Sequence, residues 1–369
     1  MDDEARATGL DPWRARPRRS PWGRRFVHAH LQGSSQPADH LAPTYAALDL
    51  GTNNCRLLVA RPTAQAFRVV DAFSRIIRLG EGVSLSGRIS EAAIERALEA
   101  LSVCRDKMDY RNVSRARLIA TEACRAAVNG LEFVERVREK VELELEVIDR
   151  ATEAELAATG CTPLIDPLAE SVILFDIGGG SSELVRMAST RSPGGPPLPV
   201  IRAWMSLPVG VVTLAERHGG IDVGRTLFET MIAEVAAHID RFVAQHEAGA
   251  PIDSIHLLGT SGTVTTIAGV HLGLKRYDRR QVDGCWMSDG EISAVVERLL
   301  GMSYEERAAN ACIGAERADL VLAGCAILEA IRRAFPCKRL RVADRGLREG
   351  MLVQMMREDR VWNGGALGR

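Results

Sequence analysis

An α/β protein built of two similar halves facing each other across a cleft is the architecture this sequence predicts, and three observations predict it. A strand, tight polar turn and strand occur twice, at Ala47-Leu48-Asp49-Leu50-Gly51-Thr52-Asn53-Asn54-Cys55-Arg56-Leu57-Leu58-Val59 and at Leu174-Phe175-Asp176-Ile177-Gly178-Gly179-Gly180-Ser181-Ser182-Glu183-Leu184-Val185. Each copy is followed by an alternation of short apolar runs and longer stretches of helical period. The 369 residues, 46% of them hydrophobic, suffice for two cores.

Residues 1–43 are rich in Arg, Pro, Ser and Gly without a hydrophobic period and read as a disordered tail. From Thr44 to about Ile77 the pattern is strand-rich. Ser90 then opens a helix over Glu91 to Asp109, with apolar residues at Ala93, Ile94, Ala97, Leu98, Leu101 and Met108. Arg117 to Ala120 reads as a buried strand, Leu131 to Val141 as a helix and Leu143 to Ile148 as an alternating strand. Pro163 and Pro167 interrupt the helical pattern and place the boundary there, giving an N-terminal half over 44–168 and a C-terminal half over 169–358. In the second half, strands are expected near 171–176, 182–187 and 200–207, with an exposed Pro/Gly hairpin tip at Ser192 to Pro197. A long helix near 225–247, a strand at Ile255 to Leu258, a helix from about Ser261, a strand at Arg339 to Val342 and a helix from Leu347 complete it, before a flexible end over 359–369.

Composition excludes several classes. The net charge of −1 includes a tail with seven Arg against five acidic residues, so the remainder is mildly acidic and no global nucleic-acid surface is expected. No apolar run reaches the length of a membrane span and no signal peptide is evident. Eight scattered cysteines without a C-x-x-C pair read as buried free thiols of a cytoplasmic protein.

The chemistry lies where strands end in small polar residues. Gly51, Thr52, Asn53 and Asn54, and later Gly178, Gly179, Gly180, Ser181 and Ser182, form turns whose backbone N–H groups and hydroxyls can cradle phosphate. Asp49 and Asp176 at the strand ends offer hard oxygens to a Mg²⁺ riding on that phosphate. Gly259, Ser261, Gly262 and Thr263 lead a strand into a helix N-terminus suited to anions. Arg345 and Arg348 near the chain end are candidate phosphate forks, and Arg125 at another strand end is a candidate phosphate clamp. Hydrolysis needs a carboxylate to activate water, and the residues leave Glu153 and Glu155 as alternatives.

Together these segments resemble the exopolyphosphatase / guanosine pentaphosphate phosphohydrolase family of the actin and sugar-kinase superfamily, over roughly Thr44 to Met355. Five motifs occur in order: Asp49-Leu50-Gly51-Thr52-Asn53, Thr121-Glu122-Ala123-Cys124-Arg125, Glu153-Ala154, Asp176 to Leu184 and Gly259-Thr260-Ser261-Gly262-Thr263, with Ala343 to Gly350 similar to the closing motif. The resemblance implies a two-domain actin-like ATPase (ribonuclease H-like, ASKHA) fold with an interdomain cleft, in a short two-domain form not expected to act processively on long chains. It also implies Mg²⁺ as cofactor with Glu183 near it, Glu153 as general base, inorganic polyphosphate or guanosine pentaphosphate as substrate, and a homodimer as an assembly. Asn54 stands where many relatives carry Ser. Competing expectations are a polyphosphate-dependent kinase or ATPase, and a non-catalytic sensor of polyphosphate or an alarmone.

Overall fold

The computed structural model describes residues 43–190, 198–246 and 255–362. The expected N-terminal tail, the Pro/Gly hairpin tip and the chain end beyond 362 lie outside them. The first half runs β1 (Tyr45–Leu50), β2 (Asn54–Pro62), β3 (Phe67–Ile76), α1 (Val83–Ser86), α2 (Glu91–Tyr110), β4 (Arg115–Ala120), α3 (Glu122–Ala126), α4 (Gly130–Val141), β5 (Glu146–Val147) and α5 (Arg150–Cys161). The second runs β6 (Ser171–Ile177), β7 (Ser182–Thr190), β8 (Leu198–Leu207), α6 (Val211–His218), α7 (Arg225–His246), β9 (Ile255–Thr260), α8 (Ser261–His271), α9 (Arg279–Val282), β10 (Trp286–Ser288), α10 (Asp289–Leu300), α11 (Tyr304–Ala309), α12 (Val321–Ala334), β11 (Arg339–Ala343) and α13 (Leu347–Glu358).

The two sheets repeat one topology. The first has the order β3-β2-β1-β4-β5, and the second has β8-β7-β6-β9-β11 with β10 added at its edge. In each, the first strand is antiparallel to the second and parallel to the fourth. This duplicated five-strand unit is the ribonuclease H-like, actin-like architecture.

Alternation along β1 explains how it sits. Ala46, Leu48 and Leu50 face a core shared with Ala93, Ile94, Ala97 and Leu101 of α2, while Tyr45 and Ala47 face a second core. Ser90 caps α2 as expected, its hydroxyl accepting from Ala93 N–H at 3.2 Å.

The second core corrects the boundaries drawn from the sequence. Residues 347–358 were assigned to the C-terminal half, yet Leu347, Met351, Leu352, Met355 and Met356 of α13 pack on the first sheet. Conversely, Ala154, Ala157, Ala158 and Cys161 of α5 pack against Val172 and Leu174 of β6 in the second. The two helices cross at glycines: a Cβ on Gly160 would stand 1.9 Å from the Gly346 carbonyl oxygen, and one on Gly350 would stand 2.0 Å from that of Leu156. Residues 359–362 are not a loose end either. Asp359 accepts from the Tyr45 hydroxyl at 2.7 Å, and the Trp362 indole N–H donates to the Thr63 carbonyl at 2.9 Å. Of the expected strand 143–148 only Glu146–Val147 pairs, because Leu143 and Leu145 are drawn into the α2 core instead.

The eight cysteines are free thiols. Among the described residues no helix is long and apolar enough to cross a membrane.

Candidate active site

Each half contributes a turn of the same construction. Gly51 N–H donates to the Asn54 carbonyl at 2.9 Å, which sets Leu50 opposite Cys55 and Asp49 opposite Arg56. Gly178 N–H donates to the Ser181 carbonyl at 3.0 Å, setting Asp176 opposite Glu183. The turns press on one another: a Cβ on Gly179 would lie 2.9 Å from Thr52 Cβ, and one on Gly180 would lie 2.8 Å from Thr52 Oγ1. Only glycine fits there.

The carbonyls of both turns are occupied from outside the cleft. Ile77 N–H and Arg78 N–H donate to the Asn53 carbonyl, Gly80 N–H to that of Thr52, and Val211 and Val212 N–H to those of Gly178 and Gly179. Among the described residues no protein acceptor takes the N–H of Thr52, Asn53, Gly179 or Gly180. Backbone donors so arranged form an anion-binding nest.

The cleft between the halves is lined by Asp49, Arg56, Glu122, Glu153, Asp176, Glu183, Arg317, both turns and the start of α8. Ser261, at that helix start, has φ 82°, a left-handed conformation strained for serine, and its hydroxyl opposes the rise that burial imposes on the Asp176 carboxyl. Beside it a Cβ on Gly262 would lie 3.6 Å from Arg317 Nη1 and 3.9 Å from Arg56 Nη2. Burial and the charge of Arg56 bring Arg317 down to about 10. Arg348 is lowered as well, by burial and then by Arg56 against the pull of Glu349. Guanidiniums that repel one another in a shared cleft favour an anion between them.

Glu153 enters this cleft from the first turn of α5, whose N-cap Asp149 accepts from Thr152 N–H at 2.7 Å. Its side chain is 13% exposed, and Oε2 accepts from Arg125 Nη2 at 2.7 Å. Burial pushes its carboxyl up to about 7; Arg125 opposes the rise, while Asp176 and Asp49 add to it. A carboxylate balanced near neutrality in a cleft is suited to taking a proton from water.

The acids also allow a fit test for Mg²⁺. Among the described residues no group of three or more His, Cys, Asp or Glu is placed to hold a metal unaided. Mg²⁺ ordinarily uses one or two carboxylates and completes its shell with substrate phosphate and water, so Asp49 and Asp176 meet that demand. Burial raises both, Asp49 to about 6, where the charge of Asp176 adds to the rise and Arg56 and Arg348 oppose it. A cation between them would relieve this. Glu183 is occupied differently: its Oε1 accepts from the hydroxyls of Ser181 at 2.8 Å and Ser206 at 2.9 Å, and burial holds its carboxyl well above the usual range.

Most of the sequence-derived candidates line the cleft: Asp49, Gly51, Thr52, Asn53, Asn54, Glu153, Asp176, Gly178, Gly179, Gly180, Ser181, Glu183, Ser261, Gly262 and Thr263. Three do not. Arg345 was expected to meet phosphate but is spent on Asp283, with Nε 3.1 Å from Oδ2. The Ser182 hydroxyl donates to the Val209 carbonyl at 2.7 Å, behind the turn. Gly259 serves the core, where a Cβ would lie 2.5 Å from Phe175 Cζ. Arg125 stands one step back, touching the cleft through Glu153. Sequence reasoning missed Arg56, Arg317 and Glu122. The turn closure itself signals Arg56, since it dictates the residue opposite Asp49. Arg317 lies in no motif and is delivered by the packing ahead of α12.

An anion-handling, acid-lined cleft between two actin-like lobes is thus the class of protein that fold and site define. Residues 58–359 match the Ppx/GppA phosphatase family. Exopolyphosphatase 2 of Mycobacterium tuberculosis is 30% identical over 302 residues, spanning 78% of this chain and 89% of that protein. Guanosine-5′-triphosphate,3′-diphosphate pyrophosphatase of Aeromonas hydrophila is 25% identical over 318 residues, spanning 86% of this chain and 60% of that one. The crystal structure of the Aquifex aeolicus member of the Ppx/GppA family superposes with a TM-score of 0.70 at 28% identity, covering 86% of this chain and 99% of the other. The chain belongs to the Ppx/GppA phosphatase family and is a hydrolase.

Proposed function

We propose that this protein removes orthophosphate from the end of inorganic polyphosphate by Mg²⁺-assisted hydrolysis, with Glu153 as general base. The observation that carries this reading is the Glu153 carboxyl, largely buried and held by Arg125 at 2.7 Å, lining the same cleft as the two glycine turns. Substrate phosphates lie along the N–H groups of the turns, with Arg56 and Arg317 offsetting their charge. Glu153 orients a water and takes its proton as the oxygen attacks the terminal phosphorus; the bridging P–O bond breaks and the shortened chain departs. Asp49 and Asp176 are the residues that would hold Mg²⁺, which supplies charge neutralisation on the phosphoryl oxygens.

The second reading is hydrolysis of the 5′ γ-phosphate of guanosine pentaphosphate, supported by the similarity to the Aeromonas pyrophosphatase. Orthophosphate release from polyphosphates of graded length and from guanosine pentaphosphate, measured side by side for the wild type and Glu153→Gln, tests both. The base assignment predicts a loss of about 10²–10⁴-fold in the variant on either substrate. Undiminished release would remove Glu153 from the mechanism.

A further inference from the structure

Glu122 has no part in the chemistry above, yet two arginines from behind the cleft converge on its carboxylate. Arg125 donates to Oε2 from Nε at 3.0 Å and from Nη2 at 2.9 Å. Arg150 donates from Nη2 to Oε1 at 2.8 Å. The same Nη2 of Arg125 reaches Glu153 Oε2 at 2.7 Å, and Nη1 donates to the Ile148 carbonyl at 2.8 Å. Arg150, Glu122, Arg125 and Glu153 thus form a chain of alternating charge, its two ends carried on the first turn of α5. Glu122 is 9% exposed, and a Cβ on Gly180 would stand 3.1 Å from its Cγ, so it is wedged against the second phosphate turn.

The Nε and Nη2 donors of a guanidinium form the edge that matches a carboxylate bidentately. Glu122 occupies that edge of Arg125, leaving Glu153 a single contact on Oε2. Were the edge free, Arg125 would turn it onto Glu153 and engage both oxygens of the base, leaving fewer lone pairs for water and lowering its basicity. We infer that Glu122 is a positioning residue: it restricts Arg125 to one hydrogen bond with Glu153 and so keeps the second oxygen of Glu153 available to the attacking water. This rests on the reading of Glu153 as base.

The test compares wild type, Glu122→Gln, Glu122→Asp and Glu153→Gln for orthophosphate release from inorganic tripolyphosphate and guanosine pentaphosphate in Mg²⁺, with thermal unfolding of each. Misplacing a catalytic group by a fraction of its contact distance costs about 10- to 100-fold in kcat, the loss expected for Glu122→Gln, with KM held within about twofold. Glu122→Asp keeps the charge and should recover part of the rate. Wild-type kcat in Glu122→Gln beside an inactive Glu153→Gln overturns the positioning role and leaves the base standing. A lowered KM at unchanged kcat overturns it too, since Glu122 would then merely repel the polyanion. Wild-type rates in Glu153→Gln defeat the base and the inference together. Should Glu122→Gln fail to fold, Glu122→Asp decides: its carboxylate sits one methylene further from Arg125, so a lowered kcat at unchanged KM supports the inference and wild-type kcat overturns it.

Discussion

Arg78 of the first lobe and Asp319 of the second form a two-pronged ion pair between the halves, Nη1 to Oδ2 at 2.9 Å and Nη2 to Oδ1 at 3.0 Å. The Arg78 backbone is itself tied to the first glycine turn through the Asn53 carbonyl, and Arg78 adopts φ 47°, a left-handed conformation. Beside it Glu216 of α6 accepts from Gly82 N–H at 2.7 Å and from the Ser84 hydroxyl. The same short segment thus contacts both the second half and the first glycine turn. Partly exposed pairs contribute about 1 kcal/mol, so Arg78→Ala or Asp319→Asn should raise KM roughly fivefold with little change in Tm. Steady-state kinetics with small-angle scattering of the free protein check this; an unchanged KM and an unchanged radius of gyration would remove the pair from lobe closure.

The pH profile follows from Glu153. A base must be unprotonated, and burial raises this carboxyl to about 7, so kcat/KM should fall as pH drops through that value. Stability runs the other way. A carboxyl raised above its unfolded value binds its proton more tightly in the native state, so ionising it costs stability as pH rises from about 4.5 to about 7. Glu153→Gln should therefore gain in unfolding free energy over the wild type as pH increases from 5 to 8, on the order of 2 kcal/mol at the upper end. Chemical denaturation at both pH values measures the gap, and a gap that narrows would contradict the buried-charge account.

Gly180→Ala places a methyl 2.8 Å from Thr52 Oγ1 and 3.1 Å from Glu122 Cγ, both in the opposing wall. Overpacking of this kind costs roughly 1–3 kcal/mol, and here it forces the turns apart. The expected outcome is a higher KM together with a modest fall in Tm; titration calorimetry with a nonhydrolysed polyphosphate analogue would show whether affinity is what is lost.

Chelating divalent ions should abolish phosphate release and readdition of Mg²⁺ should restore it. Asp49→Asn should raise the Mg²⁺ concentration for half-maximal rate roughly tenfold or more, because one of two hard anionic oxygens is lost. An unshifted Mg²⁺ dependence would exclude Asp49 as a ligand.

Local chemistry left its mark on the residues directly. Strand alternation, the Ser90 cap and the closure of Gly51 to Asn54 and of Gly178 to Ser181 depend on neighbours within a few positions, so elements and turns were legible, as was the duplication that implied a cleft. Even Arg56 was readable once the turn was closed, because antiparallel register leaves no choice about what stands opposite Asp49. Helix exchange was not: α13 presents an apolar face that suits either sheet, and only the glycine crossing at Gly160 and Gly350 decides which sheet it covers. Nor could sequence separate Arg345 from Arg348, since both arginines occupy one short segment and the location of Asp283 is a matter of tertiary packing. Sequence by itself thus determined the kinds of groups available and the turns that carry them, through short-range backbone and capping energetics. Which charges meet, with Arg345 removed to Asp283, Arg317 brought in and Glu122 set between Arg125 and Arg150, was decided only in the folded chain, because Coulombic partners and burial depend on distance in space and not along the sequence.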